Sequence, residues 1–142
     1  MLGLGHCARR RGDHPAALEL FQAAAAAYPG DIWARMEVAA ALRDLGRPEE
    51  AEPIYQAVLA EQPRHLQAML GLGHCARRRG DHPAALHHFQ AASAAHPGDI
   101  WARLEVAASL RDTGRPDAAE PVYRAVLADH PRHLQALSLI HI

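Results

Sequence analysis

Apolar positions recur along this chain at helical spacing, in short stripes broken at regular points by glycine or proline. Met1, Leu4, Gly5 and Ala8 fall at i, i+3, i+4 and i+7, one face of a helix. Gly12 then supplies the left-handed residue that ends a helix, and Pro15 restarts one at or near its first position. Ala17, Phe21 and Ala24 form the next stripe, Pro29-Gly30 stops it, and Asp31 is placed to cap the helix that follows. The pattern repeats with Val38, Ala39 and Leu42, then Gly46 and Pro48, then Ala51, Tyr55 and Val58, then Pro63. It returns with Leu72, Gly73 and Phe89, and again with Val106, Ala107 and Tyr123. Glu49, Glu50 and Asp117 sit in first turns, where the helix dipole favours acids. The expectation is an all-α chain of short helix pairs. Pro53 and Pro121 fall inside predicted second helices. Each removes a backbone donor, so a bend or loosened first turn is expected there, with the helix surviving.

The punctuation is periodic. Pro29, Pro63, Pro97 and Pro131 are 34 residues apart, as are Gly12, Gly46, Gly80 and Gly114. A longer copy lies over this period: residues 69–136 repeat residues 1–68 with 13 differences. A fixed period of this size marks stacked repeats, in which no unit buries its apolar side alone. The units are expected at about 1–31, 32–65, 66–99 and 100–133, with a fifth starting at 134–136. Met1 corresponds to Met69, which lies inside a unit, and no polar capping helix is visible, so the array is expected to be a piece of a longer one. After Ala136 the register is lost, and Leu137 to Ile142 reads LSLIHI. That hexapeptide matches a translated sequencing-adapter end, CTG TCT CTT ATA CAC ATC, and residues 137–142 are read as a non-native tail.

The residues at fixed places in each unit resemble the tetratricopeptide repeat. A small residue stands on each first helix (Gly5, Ala39, Gly73, Ala107) and another on each second helix (Ala17, Ala51, Ala85, Ala119). An aromatic follows four residues later (Phe21, Tyr55, Phe89, Tyr123), and a proline follows the second helix. Small residues let two helices touch, and the aromatic is expected to fill the wedge to the next pair. The chain departs from the family where a large aromatic is usual early in the first helix. It has Met1, Arg35, Met69 and Arg103 there, with Trp33 and Trp101 two residues before the arginines.

The resemblance implies a right-handed superhelical α-solenoid of about four helix-turn-helix repeats, with first helices lining its concave side. The implied groove residues are Trp33 and Trp101, His6 and His74, and Arg9, Arg43, Arg77 and Arg111, with Gln67 beside the tryptophans. Arginine offers paired donors to a carboxylate and tryptophan a stiff anchor, so a protein or peptide partner with acidic and apolar side chains is implied. The bland alternatives are arginines placed by the helix dipole and tryptophans that stand in for the missing packing aromatic. Some family members grip a terminal carboxylate with paired Lys and Asn, and this chain has neither residue.

Composition narrows the choice further. The chain has 15 basic residues, all Arg, against 16 acidic ones, leaving a net charge of −1. That speaks against nucleic acid, including RNA, or an anionic membrane as the main partner. The absence of Lys and Asn with abundant Ala and Pro reads as coding bias of a GC-rich genome, and the family resemblance implies a bacterial one. Cys7 and Cys75 are one position in two copies, too far apart to bridge, and free thiols with no signal peptide suggest the cytoplasm. No apolar run approaches the roughly 18 residues of a membrane span. His82, His87 and His88 crowd one helix without a metal-ligand spacing, and Glu37 and Asp44 read as single-helix surface acids. No catalytic constellation, metal site or cofactor motif is visible. The expected function is a non-catalytic interaction scaffold. The alternative is a substrate-holding or targeting arm of a larger bacterial enzyme, such as a glycosyltransferase or sulfotransferase. Val122 and Val126 are expected to form an open apolar edge on the last helix and to cause weak self-association.

Overall fold

The computed structural model describes residues 2–129, so the start of a fifth unit at 134–136 and the tail at 137–142 lie outside the described residues. Eight helices follow in order: α1 (Leu2–Arg10), α2 (His14–Ala27), α3 (Ile32–Asp44), α4 (Pro48–Glu61), α5 (Leu66–Arg78), α6 (His82–Ala95), α7 (Ile100–Asp112) and α8 (Pro116–Asp129). Each packs on the next in the chain, and α3 also touches α5 across the intervening helix. The result is an all-α solenoid of four helix pairs, with no strand among the described residues.

The turns explain the period. Gly12, Gly46, Gly80 and Gly114 all adopt φ between 76° and 80°, the left-handed region, at the turn inside each pair. There the Gly12 N–H donates to the Arg9 carbonyl at 2.9 Å, and the Asp13 N–H donates to the Ala8 carbonyl at 2.9 Å. These bonds close the end of α1 and turn the chain back. Asp13, Asp31, Asp81 and Asp99 cap α2, α3, α6 and α7 through side-chain oxygens. At the corresponding start of α5 the residue is His65, whose Nδ1 accepts from the Ala68 N–H at 3.2 Å. α4 and α8 run unbroken through Pro53 and Pro121.

The two helices of a pair are antiparallel, as cross-pair ions record. Arg35 near the start of α3 meets Glu61 at the end of α4 at 2.5 Å, and Arg103 meets Asp129 in the same way at 2.8 Å. These are the arginines that replace the expected aromatic. An ion pair closes the end of the pair where a ring was missing. Trp33 and Trp101 do not take over that packing role, being 61% and 52% exposed.

The core is a seam of small residues and rings. Phe21 presses on Gly5 and Phe89 on Gly73, each on the first helix of its own pair. Tyr55 instead presses on Gly71 of α5, in the next pair. Tyr55 thus reaches into the wedge ahead, as expected of the aromatic, and Phe21 and Phe89 rest on the glycine of their own first helix. Ala39 stands at the Gly5 position in the second unit, and Glu37 stands at the Gly71 position. The expected open edge on α8 is corrected. Val126 is fully buried in a cluster with Leu104, Ala107 and Leu110 of α7, and Val122 is half-buried. Val126 occupies the register of Val58 and faces its own partner helix rather than solvent.

Candidate functional site

First helices of successive units meet, and between α3 and α5 they leave a cleft of about 360 Å³. Its walls are two stripes of the same register. Trp33, Glu37, Ala40 and Arg43 come from α3, and Gln67, Gly71 and His74 come from α5. Within each stripe the residues fall at i, i+4 and i+7, so one face of each helix looks into the cleft. Tyr55 of α4 contributes to the lining, and Met36 and Leu70 add apolar surface.

The polar groups here differ in how far they are already engaged. Arg9 reaches from α1 to Glu37 of α3 at 2.8 Å, and its guanidinium lies 4.9 Å from the centre of the Phe21 ring. His6 meets the same ring edge-on at 5.3 Å. The second copy rebuilds this cluster: Arg77 meets Glu105 at 2.6 Å and stands 4.9 Å over Phe89, with His74 edge-on at 5.2 Å. Arg77 is also 3.9 Å from Asp112. Each pair is an ionic contact without the alignment of a hydrogen bond between its closest atoms. Glu37 is thus corrected from a lone surface acid to the tie between first helices of successive units. Arg9 and Arg77 are held in place by an acid and a ring.

Arg43 and Arg111 are engaged more loosely. Their ion contacts are to neighbouring acids of the same helix, Asp44 at 3.5 Å and Asp112 at 3.8 Å. Arg43 lines the cleft, at the end opposite Trp33 on the same stripe. Trp33 is largely exposed and meets the capping His65 edge-on at 6.0 Å. Burial pushes the His74 imidazole down to about 4, helped by the positive charges of Arg43, Arg77 and Arg78. His74 is therefore neutral at pH 7 and able to donate or accept. Tyr55, buried beneath, has its phenol pushed up to about 12, so it stays protonated. The cleft thus offers one cation, one neutral imidazole, a carboxamide and an indole face, with the Glu37 carboxylate in its wall tied to Arg9. Among the described residues no group of three or more His, Cys, Asp or Glu is arranged to hold a metal, and no helix is long and apolar enough to cross a membrane.

Of the residues marked from the sequence, the structure gathers Trp33, Arg43 and His74 in this cleft, with Gln67. His6, Arg9 and Arg77 lie in the ring-and-acid clusters beside it. Trp101 and Arg111 belong to the next stripe, where Trp101, Glu105 and Ala108 repeat the spacing of Trp33, Glu37 and Ala40. Sequence reasoning missed Glu37 and Gly71. Filling in the middle of the i, i+4, i+7 stripe that begins at Trp33 and at Gln67 would have found both.

Two tetratricopeptide repeat family models match the chain, one over residues 1–32 and 39–100 and the other over residues 76–140. No curated protein matches it. Several solved structures share the fold. A thermophilic tetratricopeptide repeat protein of Thermus thermophilus is 25% identical with a TM-score of 0.80, covering 99% of this chain and 79% of that one. A tetratricopeptide repeat protein of Parabacteroides merdae is 23% identical with a TM-score of 0.83, covering 98% of this chain and 54% of that one. YrrB, described as having an unusual peptide-binding site, is 20% identical with a TM-score of 0.79, covering 99% of this chain and 72% of that one. With a family model matching well over half of its length and helix pairs stacked at every thirty-fourth residue, the chain belongs to the tetratricopeptide repeat family.

Proposed function

We propose that this chain is a non-catalytic interaction scaffold that holds an extended segment of a partner protein along its first helices, with the α3–α5 cleft as the principal seat. The observation that carries this is the pairing of an exposed indole with a loosely engaged guanidinium at opposite ends of one open stripe, Trp33 and Arg43. The partner segment is acidic and apolar: an apolar side chain lies on Trp33 and a carboxylate meets Arg43 and His74. Arg9 and Arg77 hold the walls through Glu37 and Glu105, with His6 on the first of these clusters. Trp101 and Arg111 begin a second seat one copy further on. The peptide-binding site ascribed to YrrB lends analogy, at the level of fold. The free thiols and the skewed composition favour a bacterial cytoplasm as its setting. Weak self-association belongs to the same reading.

The test is a selection from a random peptide display library on the intact chain. Enriched peptides should carry Asp or Glu near an aromatic or aliphatic residue. Trp33→Ala and Arg43→Ala should each weaken the best peptide by about tenfold or more, the scale of an interface anchor. Enrichment of basic peptides, or binding indifferent to both substitutions, would refute the reading.

A further inference from the structure

Arg9, Arg43 and Arg77 stand at one register of the first helices α1, α3 and α5. Two of them meet a glutamate on the next first helix: Arg9 meets Glu37 at 2.8 Å, and Arg77 meets Glu105 at 2.6 Å. At the joint between α3 and α5 the residue in that place is Gly71. Arg43 therefore finds no acid there. Among the described residues its one ion contact is to its chain neighbour Asp44, at the long distance of 3.5 Å. Yet its side chain is only 22% exposed, so the guanidinium has given up most of its water. A cation so placed gains from any carboxylate that reaches it in good geometry.

The ring at this joint differs too. Arg9 and Arg77 lie over Phe21 and Phe89, whereas the same register of α4 holds Tyr55. The ring atom of Tyr55 nearest the place of a Gly71 Cβ is Cζ, the carbon that bears the hydroxyl. Both residues line the α3–α5 cleft together with Arg43 and His74. After burial itself, the Arg43 charge is the largest influence on both the Tyr55 phenol and the His74 imidazole, which places the guanidinium beside them. Glu37 faces the same cleft, but Arg9 already holds it. So where the chain omits an acid it supplies a hydroxyl, and the two positions share a cleft. Resting on the groove reading above, we infer that the place over Gly71 is a seat for one glutamate side chain of the partner, held by the Arg43 guanidinium and the Tyr55 hydroxyl. That glutamate fills from outside the position that Glu37 and Glu105 fill from within. The α1–α3 and α5–α7 joints are closed to it, because their arginines are already paired.

Trp33 and Arg43 lie about 15 Å apart along the α3 axis, a span of about four or five extended residues. The probe is therefore a peptide with leucine and glutamate four residues apart and serine elsewhere, N-acetylated and C-amidated. Its affinity for the intact chain is read from the shift of the Trp33 indole signal as it is added. Replacing its glutamate by glutamine should weaken it by about tenfold or more. On Arg43→Gln the two peptides should bind alike. Arg43→Lys keeps the charge without the paired donors and should keep part of the preference. Tyr55→Phe keeps the ring on Gly71 and should narrow the preference. Circular dichroism checks that each variant is folded, and the lysine and phenylalanine variants carry the test if Arg43→Gln is not. A glutamine peptide with a free C-terminal carboxylate should bind no better than its amide. A preference for glutamate that survives Arg43→Gln, or that Tyr55→Phe leaves unmoved, would overturn the inference. So would a free terminus that binds as well as the glutamate. If glutamate and glutamine peptides shift Trp33 at the same concentration, the seat falls while the groove reading stands. If neither moves Trp33, both fall.

Discussion

The ring of Tyr55 sits so close to Gly71 that a methyl group on that glycine would meet a ring carbon well inside van der Waals contact. The contact joins the second helix of one unit to the first helix of the next, so it is a joint of the solenoid rather than a detail of one pair. Gly71→Ala should destabilise the chain by about 1–3 kcal/mol of overpacking, offset by at most about 1 kcal/mol of improved helix propensity. Gly3→Ala, at the same position of the first copy, should be neutral or slightly stabilising, since nothing lies within 4 Å of its added carbon. Urea unfolding of both variants measures the difference. Equal effects would mean that Tyr55 does not rest on α5.

The two thiols should react very unequally in dilute native protein. Cys75 is fully buried, and burial pushes its thiol up to about 11, while Cys7 is exposed. Ellman's reagent should therefore titrate one thiol rapidly under native conditions and two after unfolding. Equal rates in the folded chain would contradict the packing of α4 on α5.

The sign of the His74 effect fixes a pH dependence. In the folded chain the imidazole is pushed down to about 4, below its unfolded value of 6.5, so between these pH values the unfolded state binds more protons. Stability from this group is complete above about pH 6.5 and is lost as pH falls towards 4, by at most about 3 kcal/mol. His88, lowered by burial and by neighbouring His87, acts in the same direction. His74→Gln should flatten the dependence of the thermal midpoint on pH across that window. An unchanged slope would remove His74 from the buried wall of the cleft.

The turn chemistry gives a fourth expectation. Gly46 holds φ at 76°, and alanine in that region costs about 1–2 kcal/mol. Asp99 caps α7 through the Ala102 N–H at 2.8 Å, and Asp99→Ala should cost about 1 kcal/mol. Chemical denaturation of each variant checks both values. A neutral Gly46→Ala would mean that the turn is not left-handed.

The helices, their turns and their spacing were legible in the sequence because each is decided by local chemistry: a glycine at every left-handed turn, an aspartate before half of the helix starts, an apolar stripe between. Arg35 and Arg103 show where local reading stopped. Their departure from the family pattern was visible, but the ion pairs with Glu61 and Asp129 join residues 26 apart and need the antiparallel pair to exist first. Glu37 is similar, since its tie to Arg9 depends on the stacking of one unit on another. The direction in which each ring leans was hidden for a subtler reason. Phe21 and Tyr55 occupy one register, yet the glycine each rests on, Gly5 or Gly71, stands on a different neighbouring helix. Val126 was misjudged because a stripe on the last helix was assigned to an absent neighbour, when its partner helix α7 already covers it.

Nuclear magnetic resonance of the Trp33 and Trp101 indole N–H signals, followed while an acidic, apolar peptide is added, tests the central claim most directly. The account expects the Trp33 signal to shift with saturation, together with the Arg43 side chain and the His74 ring, and Arg43→Ala to move the midpoint of that shift to about tenfold more peptide. A peptide that binds while these signals stay still would place recognition elsewhere on the solenoid and contradict the α3–α5 cleft as its seat.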